Sequence, residues 1–132
     1  MTRAVLADSG PLYAAVDEGD EHHLEAHRAL EALARDRRDV VIAYPILLEA
    51  YSLVLYRLGV AAAHKWIAFV AGASLINPDF EDYGRAVVTV RTFADQRISL
   101  VDATVAALAL RLGLEVWTYD HHFDVMRVPV WR

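Results

Sequence analysis

Short apolar runs alternate along the chain with longer stretches in which apolar residues recur at helical spacing. The apolar runs predict strands at about 3–7, 40–43, 74–76 and 115–118, and a fifth at 128–130 whose proline would confine it to a sheet edge. The periodic stretches predict helices at about 11–16, 21–35, 45–58, 61–70, 79–95 and 99–112. Strands therefore alternate with helices along the chain.

The predicted strands are continuously apolar, which is typical of a parallel sheet buried on both faces. We therefore expect an α/β fold, a three-layer α/β/α sandwich around a central, mainly parallel sheet of about five strands. With 132 residues and neither a linker nor a repeat, the chain is expected to form a single domain over 1–132. Right-handed crossovers would bring the carboxyl ends of the strands to one edge, where open α/β sheets bind ligands.

Composition excludes several classes of protein. Hydrophobic residues make up 56% of the chain and charged residues 23%, so the chain is expected to fold. It contains no cysteine, which excludes a disulfide framework, a zinc–thiolate site and a thiol nucleophile, and fits a reducing compartment. The longest nearly uncharged run, 40–56, is too short for a membrane helix, and no signal-peptide pattern is present. We expect a cytoplasmic protein without a membrane segment.

Four carboxylates stand alone within or beside apolar segments. They are Asp8 within 4–16, Glu49 within 40–56, Asp102 within 98–110, and Asp120 after the strand at 115–118. An ionised carboxylate is seldom buried without a partner, because the cost of desolvation is large. The first three runs contain no Lys or Arg. The simplest solution is that the four acids meet near the sheet edge and share a cation.

Carboxylate oxygens suit the hard cations Mg²⁺ and Mn²⁺. Such a site can activate a water molecule and neutralise charge on a phosphodiester. The formal net charge of −5 argues against a nucleic-acid partner at first, but the four acids contribute −4 of it and each divalent ion returns +2. The basic residues are 12 Arg and one Lys, Lys65, and Arg is well suited to bind phosphate.

Each acid also has an ordinary structural interpretation. Asp8 would cap the helix after it, Ser99-x-x-Asp102 fits a capping box, and Asp120 fits a turn. Taken singly, a cap and a ligand are equally plausible for Asp8, the cap is favoured for Asp102, and the turn is favoured for Asp120. Glu49 is harder to explain, because it lies in mid-helix among apolar residues and needs a partner. The four acids together favour the metal site.

Neighbouring polar residues are candidates for supporting roles. Ser9 and Thr118 carry hydroxyls that would hydrogen-bond a ligand carboxylate or a phosphate, and Ser99 would cap its helix. Asp124 is either a fifth acid beside the ligands or a solvated loop residue, and the loop is favoured.

Two pairs of adjacent histidines, His22-His23 and His121-His122, invite a zinc site, but adjacent side chains seldom point at one metal. His23 and His27 have i,i+4 spacing, which allows a metal, although a solvated helix face is the favoured interpretation. His121 and His122 follow Asp120, where one of them could contact RNA phosphate, and a surface loop is the favoured interpretation.

Four segments, in this order, resemble those of the PIN domain, and specifically the toxin of VapBC-type toxin–antitoxin pairs. They are Val5-Leu6-Ala7-Asp8-Ser9-Gly10-Pro11-Leu12, the apolar helix with Glu49, Ser99-Leu100-Val101-Asp102-Ala103, and Trp117-Thr118-Tyr119-Asp120-His121-His122-Phe123, which is similar to the family's T-x-D-x-x-F element. The resemblance covers essentially the whole chain. It departs mildly at Gly10-Pro11, where the family often has hydroxyl or aliphatic residues, and at His121-His122, where it often has basic ones.

The resemblance implies the three-layer fold and a Mg²⁺- or Mn²⁺-dependent endonuclease activity on RNA. Asp8, Glu49, Asp102 and Asp120 match the four acids of the family's active site. The resemblance also implies a homodimer and a cognate antitoxin protein that blocks the site.

Two other function classes fit the residues less well. A metal-dependent phosphatase would have a second Asp where Gly10 stands, and a phosphoacceptor domain would need Lys65, the only lysine, near the acids. In a non-catalytic α/β interaction module the acids would serve folding or partner binding. Such a module would show no rise in melting temperature with Mg²⁺ or Mn²⁺, whereas a metal site would.

Overall fold

The computed structural model of the protein describes residues 3–132. Within these residues the strands are β1 (Val5–Ala7), β2 (Val40–Ala43), β3 (Ser74–Ile76) and β4 (Glu115–Trp117). The helices are α1 (Ser9–Ala14), α2 (His23–Arg35), α3 (Tyr44–Leu58), α4 (Val60–Val70), α5 (Phe80–Thr92), α6 (Leu100–Leu112) and α7 (His122–Val125). The predicted alternation is confirmed with small shifts of boundary. The pattern does not predict α7, which is one turn long and too short for periodicity to show.

The sheet is parallel and has the strand order β3-β2-β1-β4. Val5 of β1 lies opposite Val40 on one side and Glu115 on the other, and Ala7 lies opposite Trp117. All three residues of β1 are buried, because helices cover both faces of the sheet. The three-layer α/β/α architecture predicted from the continuous apolar strands is therefore confirmed.

The predicted fifth strand is reduced to a single bridge. Val130 pairs with Val116 in parallel, with the Val116 amide donating to the Pro129 carbonyl and the Trp131 amide donating to the Val116 carbonyl. Proline has no amide hydrogen, so the segment cannot extend a regular ladder. The expectation of about five strands is thus corrected to four in the described chain, with this bridge at the β4 edge.

Local sequence determines where the helices that flank the site begin and end. The Ser99 hydroxyl accepts a hydrogen bond from the Asp102 amide and caps the start of α6, while Gly113 ends that helix in the left-handed conformation at φ 67°. Pro45 lies in the first turn of α3.

No helix of residues 3–132 is both long and apolar enough to cross a membrane.

An ion pair joins α5 to α6. Asp82 is fully buried, and the guanidinium of Arg111 donates to both of its carboxylate oxygens, at 2.9 and 2.7 Å. Asp82 also closes a reciprocal capping box with Asp79 at the start of α5. Asp82 therefore has a structural role.

Candidate functional site

The four isolated acids line one cavity at the carboxyl edge of the sheet. Asp8 directly follows β1, and Asp120 lies three residues after β4, while Glu49 projects from α3 and Asp102 from the first turn of α6. The Asp8 amide donates to the Trp117 carbonyl at 2.9 Å, which continues the β1–β4 pairing to this point. The parallel sheet thus brings together residues that are far apart in sequence.

Asp8 is the most deeply buried of the four acids, with 5% of its surface exposed. One carboxylate oxygen accepts a hydrogen bond from the Ser9 amide at 2.8 Å. The other accepts one from the Thr118 hydroxyl at 2.7 Å. Asp8 is therefore the N-cap of α1 as well as part of the cavity wall, so the two interpretations of this residue are compatible.

Glu49 has its partner in the Ser9 hydroxyl, which donates a hydrogen bond to the Glu49 carboxylate. Ser9 thereby supports two acids at once, Asp8 through its amide and Glu49 through its side chain. Ile46 and Ala50, on the same helix, are completely buried, whereas Glu49 is only partly buried and faces the cavity. This contact supplies the hydrogen bond that a carboxylate in an apolar helix needs.

The turn after β4 holds Asp120 in place. Its amide donates to the Thr118 hydroxyl at 2.9 Å, and its carboxylate accepts a hydrogen bond from the His122 amide at 2.9 Å. The Thr118 hydroxyl is thus bonded to both Asp8 and Asp120. A single hydroxyl therefore fixes the relative positions of two of the four acids.

The cavity has a volume of about 360 Å³ and is acidic. Besides the four acids, its lining includes a fifth carboxylate, Asp20, and two basic side chains, Arg57 and His22. The Arg57 guanidinium lies 5.1 Å from the centre of the Tyr13 ring, and the His22 ring stacks on Tyr119 at 4.3 Å. The sequence does not predict that Asp20, Arg57 or His22 belongs to this cavity, because Asp20 lies in a polar loop, Arg57 lies late in a helix and His22 stands out only as one of two adjacent histidines.

Burial, hydrogen bonds and neighbouring charges shift the pKa values of three acids. Burial raises the pKa of Asp8 to about 6, against the opposing effect of its hydrogen bonds from Thr118 and Ser9. Burial, followed by repulsion from Asp8 and Asp120, raises the pKa of Asp102 to about 8. Burial acts in the same direction on Asp120, but its hydrogen bonds with His122 and Asp102 outweigh this and hold its pKa below the usual value.

This donor set fits a hard divalent cation. The ligand atoms are carboxylate oxygens, and the pKa values of Asp8 and Asp102 are raised first by burial and then by repulsion from the neighbouring acids. A cation between the acids would relieve that repulsion and favour the ionised carboxylates. The hydroxyl groups of Ser9 and Thr118 would then orient two of the ligands, Glu49 and Asp8, through their hydrogen bonds.

Asp124 lies outside the four-acid cavity. Its carboxylate accepts a hydrogen bond from Arg132 at 3.0 Å, and it lies on α7 rather than in the loop that the sequence suggests. His122 also begins this helix, so the surface loop expected for His121 and His122 is corrected to a helix start.

A larger cavity, of about 790 Å³, adjoins the first one. The two share three residues: His22, Tyr119 and Asp120. The larger cavity is also lined by Arg28, Trp131 and Arg132, and by the carboxylates of Glu25, Asp36 and Asp124. Aromatic and basic side chains thus lie next to the acidic cavity, interspersed with further acids.

Comparison with known proteins agrees with this architecture. The family model of the PIN domain matches residues 5–129. No curated protein matches the sequence significantly. Three solved structures are similar: the sarcin-ricin loop cleaving toxin VapC20 of Mycobacterium tuberculosis (TM-score 0.85, 21% identity, 98% of this chain and 99% of that one), VapBC2 of Rickettsia felis bound to a DNA fragment from its promoter (0.75, 14%, 98% and 97%) and FitAcB of Neisseria gonorrhoeae (0.71, 19%, 97% and 96%).

At these identities the solved structures establish a common fold. The family match is independent of them and spans nearly the whole chain, including all four acids of the cavity. The protein is therefore a member of the PIN domain family.

Proposed function

We propose that this protein is a metal-dependent endoribonuclease that cleaves RNA phosphodiesters with Mg²⁺ or Mn²⁺ held by Asp8, Glu49, Asp102 and Asp120. The observation that carries the proposal is that four carboxylates from separate elements line one small cavity of a PIN domain. The raised pKa values of Asp8 and Asp102 support it, because buried carboxylates that also repel one another are stabilised in their ionised form by a divalent ion.

A divalent cation held there would supply an activated water and neutralise charge on the phosphodiester. The protein's own part is to hold the carboxylates in place for the cation. Thr118 and Ser9 donate hydrogen bonds to Asp8 and favour its charged form. Arg57 is the arginine at the cavity, and its guanidinium would donate to a phosphate oxygen as charge develops in the transition state.

The adjoining larger cavity fits the flanking part of an RNA strand. Arg28 and Arg132 would contact phosphates, and the Trp131 ring would stack on a base. Stacking and cationic contacts of this kind are how proteins bind single-stranded RNA. These side chains are the part of the cavity suited to nucleic acid, and they stand beside the carboxylates of Glu25, Asp36 and Asp124.

We further propose that the chain is the toxin of a toxin–antitoxin pair that acts in the cytoplasm, with a cognate antitoxin protein and a homodimer as its assemblies. The similarity to VapC20, a sarcin-ricin loop cleaving toxin, and to VapBC2 supports this assignment. An apolar groove of about 640 Å³ between α3 and α4, lined by Leu47, Leu48, Tyr51 and Ile67 among others, offers a surface for a protein partner.

The test is to incubate the purified protein, free of antitoxin, with total cellular RNA in the presence of Mg²⁺, Mn²⁺ or EDTA, beside the Asp8→Asn variant. Discrete fragments are expected with metal alone, and neither EDTA nor the variant should yield them. Fragments that persist in EDTA, or in Asp8→Asn, would contradict the proposed mechanism. The ends of the fragments would identify the cleavage site.

A further inference from the structure

The turn after β4 brings together three side chains of types that ligate metals, and two of them, His121 and His122, are not part of the four-carboxylate site. The ligand atoms of Asp120, His121 and His122 all lie within 4.8 Å of one another. Among residues 3–132 this is the one group of at least three such side chains with that spacing. Two of its members are imidazoles, which are ligands for borderline transition metals rather than for Mg²⁺.

We propose that Asp120, His121 and His122 form a second metal site, specific for a transition-metal ion of the Zn²⁺ type, at the junction of the two cavities. Zinc binding here would not depend on nuclease activity. Asp120 lines both cavities and His121 lines the larger one, so an ion held by them would lie where the cavities meet.

The distances suit a tetrahedral ion. The Nδ1 atom of His122 lies 3.0 Å from Oδ1 of Asp120, and Nδ1 of His121 lies 3.7 Å from the same oxygen. Two ligand atoms bound to one tetrahedral ion at about 2.0–2.2 Å are roughly 3.3–3.6 Å apart. The two Asp120–His distances are within about half an ångström of this spacing, and the ligand atoms of the two imidazoles lie within 4.8 Å of each other. Three protein ligands leave the fourth position to water.

The surroundings hold two of the three ligands in place. The carboxylate of Asp120 accepts a hydrogen bond from the His122 amide, and its own amide is bonded to Thr118. The His122 side chain is 15% exposed, whereas that of His121 is 76% exposed. The two imidazole rings lie 4.2 Å apart. The side chains of Asp120 and His122 are thus held in place, whereas the exposed side chain of His121 can rotate toward a bound ion.

The other histidine pair is less suited to a metal. His23 and His27 also lie close together, with 4.5 Å between their ring centres. However, one ring nitrogen of each is hydrogen-bonded to a backbone carbonyl at the end of α1: that of Ala14 for His23 and that of Ala15 for His27. No carboxylate joins them in a group of three with ligand spacing within the described residues. The pair serves instead to bind α2 to the end of α1.

The experiment is isothermal titration of the metal-free, full-length protein with Zn²⁺. We expect one ion per chain in the wild type and a loss of affinity of about tenfold or more in both His121→Ala and His122→Ala. His64→Ala, at an exposed histidine on α4, is the matched control, and His27→Ala tests the rival pair; both should bind as the wild type does. Thermal melts without metal verify that each variant is folded.

Absence of Zn²⁺ binding by the wild type would overturn the proposal, as would unchanged affinity in His121→Ala and His122→Ala. A loss of affinity confined to His27→Ala would also overturn it, because the ion would then lie on α2. The same samples titrated with Mg²⁺ test the other site separately. His121→Ala should keep the Mg²⁺-induced rise in melting temperature, and failure of the wild type to show that rise would count against the proposed nuclease and leave the zinc site standing.

Discussion

Thr118 donates a hydrogen bond to the carboxylate of Asp8 across 2.7 Å, although 110 residues separate them in the chain. The contact exists because β1 and β4 are parallel neighbours whose carboxyl ends coincide, with Ala7 opposite Trp117. The same hydroxyl accepts from the Asp120 amide. The hydroxyl group of Thr118 therefore holds Asp8 and Asp120 in fixed positions relative to each other.

Replacing Thr118 by Val tests this arrangement with little change in volume. Loss of the hydroxyl removes a hydrogen bond that favours the ionised form of Asp8, so Mn²⁺ affinity and metal-dependent cleavage should each fall by about 10- to 100-fold. Titration calorimetry and cleavage assays measure the two effects. Thr104→Val is the matched control, since Thr104 is buried in α6 and donates only to the Leu100 carbonyl. Equal behaviour of the two variants would show that Thr118 does not support the site.

Arg57 is predicted to act on the substrate. Arg57→Ala should lower kcat by about 10- to 100-fold, the range expected for loss of one charge-assisted hydrogen bond worth about 1.5–3 kcal/mol. Arg57→Lys should recover part of the rate, because it keeps the charge and loses the planar fork. Arg91→Ala, at an exposed position of α5, is the control and should leave kcat unchanged. An unchanged kcat in Arg57→Ala would place the transition-state contact elsewhere.

The metal-free protein should lose stability as pH rises. The pKa of Asp8 is about 6 and that of Asp102 about 8 in the folded state, against 3.8 as the ordinary value, so between pH 4 and 8 the native state holds more protons than the unfolded state. The contribution of these two groups is then largest below about pH 4 and is lost as pH rises through 6 and 8.

Mg²⁺ competes with those protons, so its stabilising effect should grow with pH. Thermal melts with and without Mg²⁺ at pH 5.5 and 8.5 measure this directly, and the rise in melting temperature should be larger at the higher pH. The variant that combines Asp8→Asn and Asp102→Asn should show neither the Mg²⁺-induced rise in melting temperature nor the loss of stability of the metal-free protein with rising pH. A metal effect that is larger at pH 5.5 than at 8.5 would contradict the assignment of these ligands.

Asp82 is predicted to matter for stability alone. Asp82→Asn breaks the two-pronged pair with Arg111, and the free energy of unfolding should fall by about 2–3 kcal/mol, less than for a fully buried pair because Arg111 is partly exposed. The pair holds the pKa of Asp82 below its usual value, so this contribution is present at neutral pH and is lost as pH falls.

Chemical denaturation measures the change, and Asp95→Asn, which removes the same charge from an exposed site, should stay within about 0.5 kcal/mol of the wild type. Cleavage by the folded Asp82→Asn variant should be normal. A loss of cleavage without a loss of stability would instead assign Asp82 to the active site.

The sequence predicts that Asp8, Glu49, Asp102 and Asp120 converge, because each stands within or beside an apolar segment and a parallel sheet brings strand ends to one edge. It does not reveal that Asp20, Arg57 and His22 line the same cavity, since an acid in a polar loop, an arginine late in a helix and one of two adjacent histidines look like ordinary surface residues. Asp82 escaped notice because its partner, Arg111, lies 29 residues away on another helix. The prediction of a fifth strand was wrong for a local reason, because Pro129 has no amide hydrogen with which to extend the hydrogen-bonded ladder.

The most direct test of the proposed site compares Mn²⁺-dependent cleavage of total RNA by the wild type, by the four amide variants Asp8→Asn, Glu49→Gln, Asp102→Asn and Asp120→Asn, and by Asp95→Asn. Asp95 is the control, since it is exposed and lines neither the four-acid cavity nor the larger one. We expect the four amide variants to be folded and to lose cleavage, and Asp95→Asn to keep it. Retained metal-dependent cleavage by folded Asp8→Asn or Asp102→Asn, or its loss in Asp95→Asn alone, would contradict the proposed site.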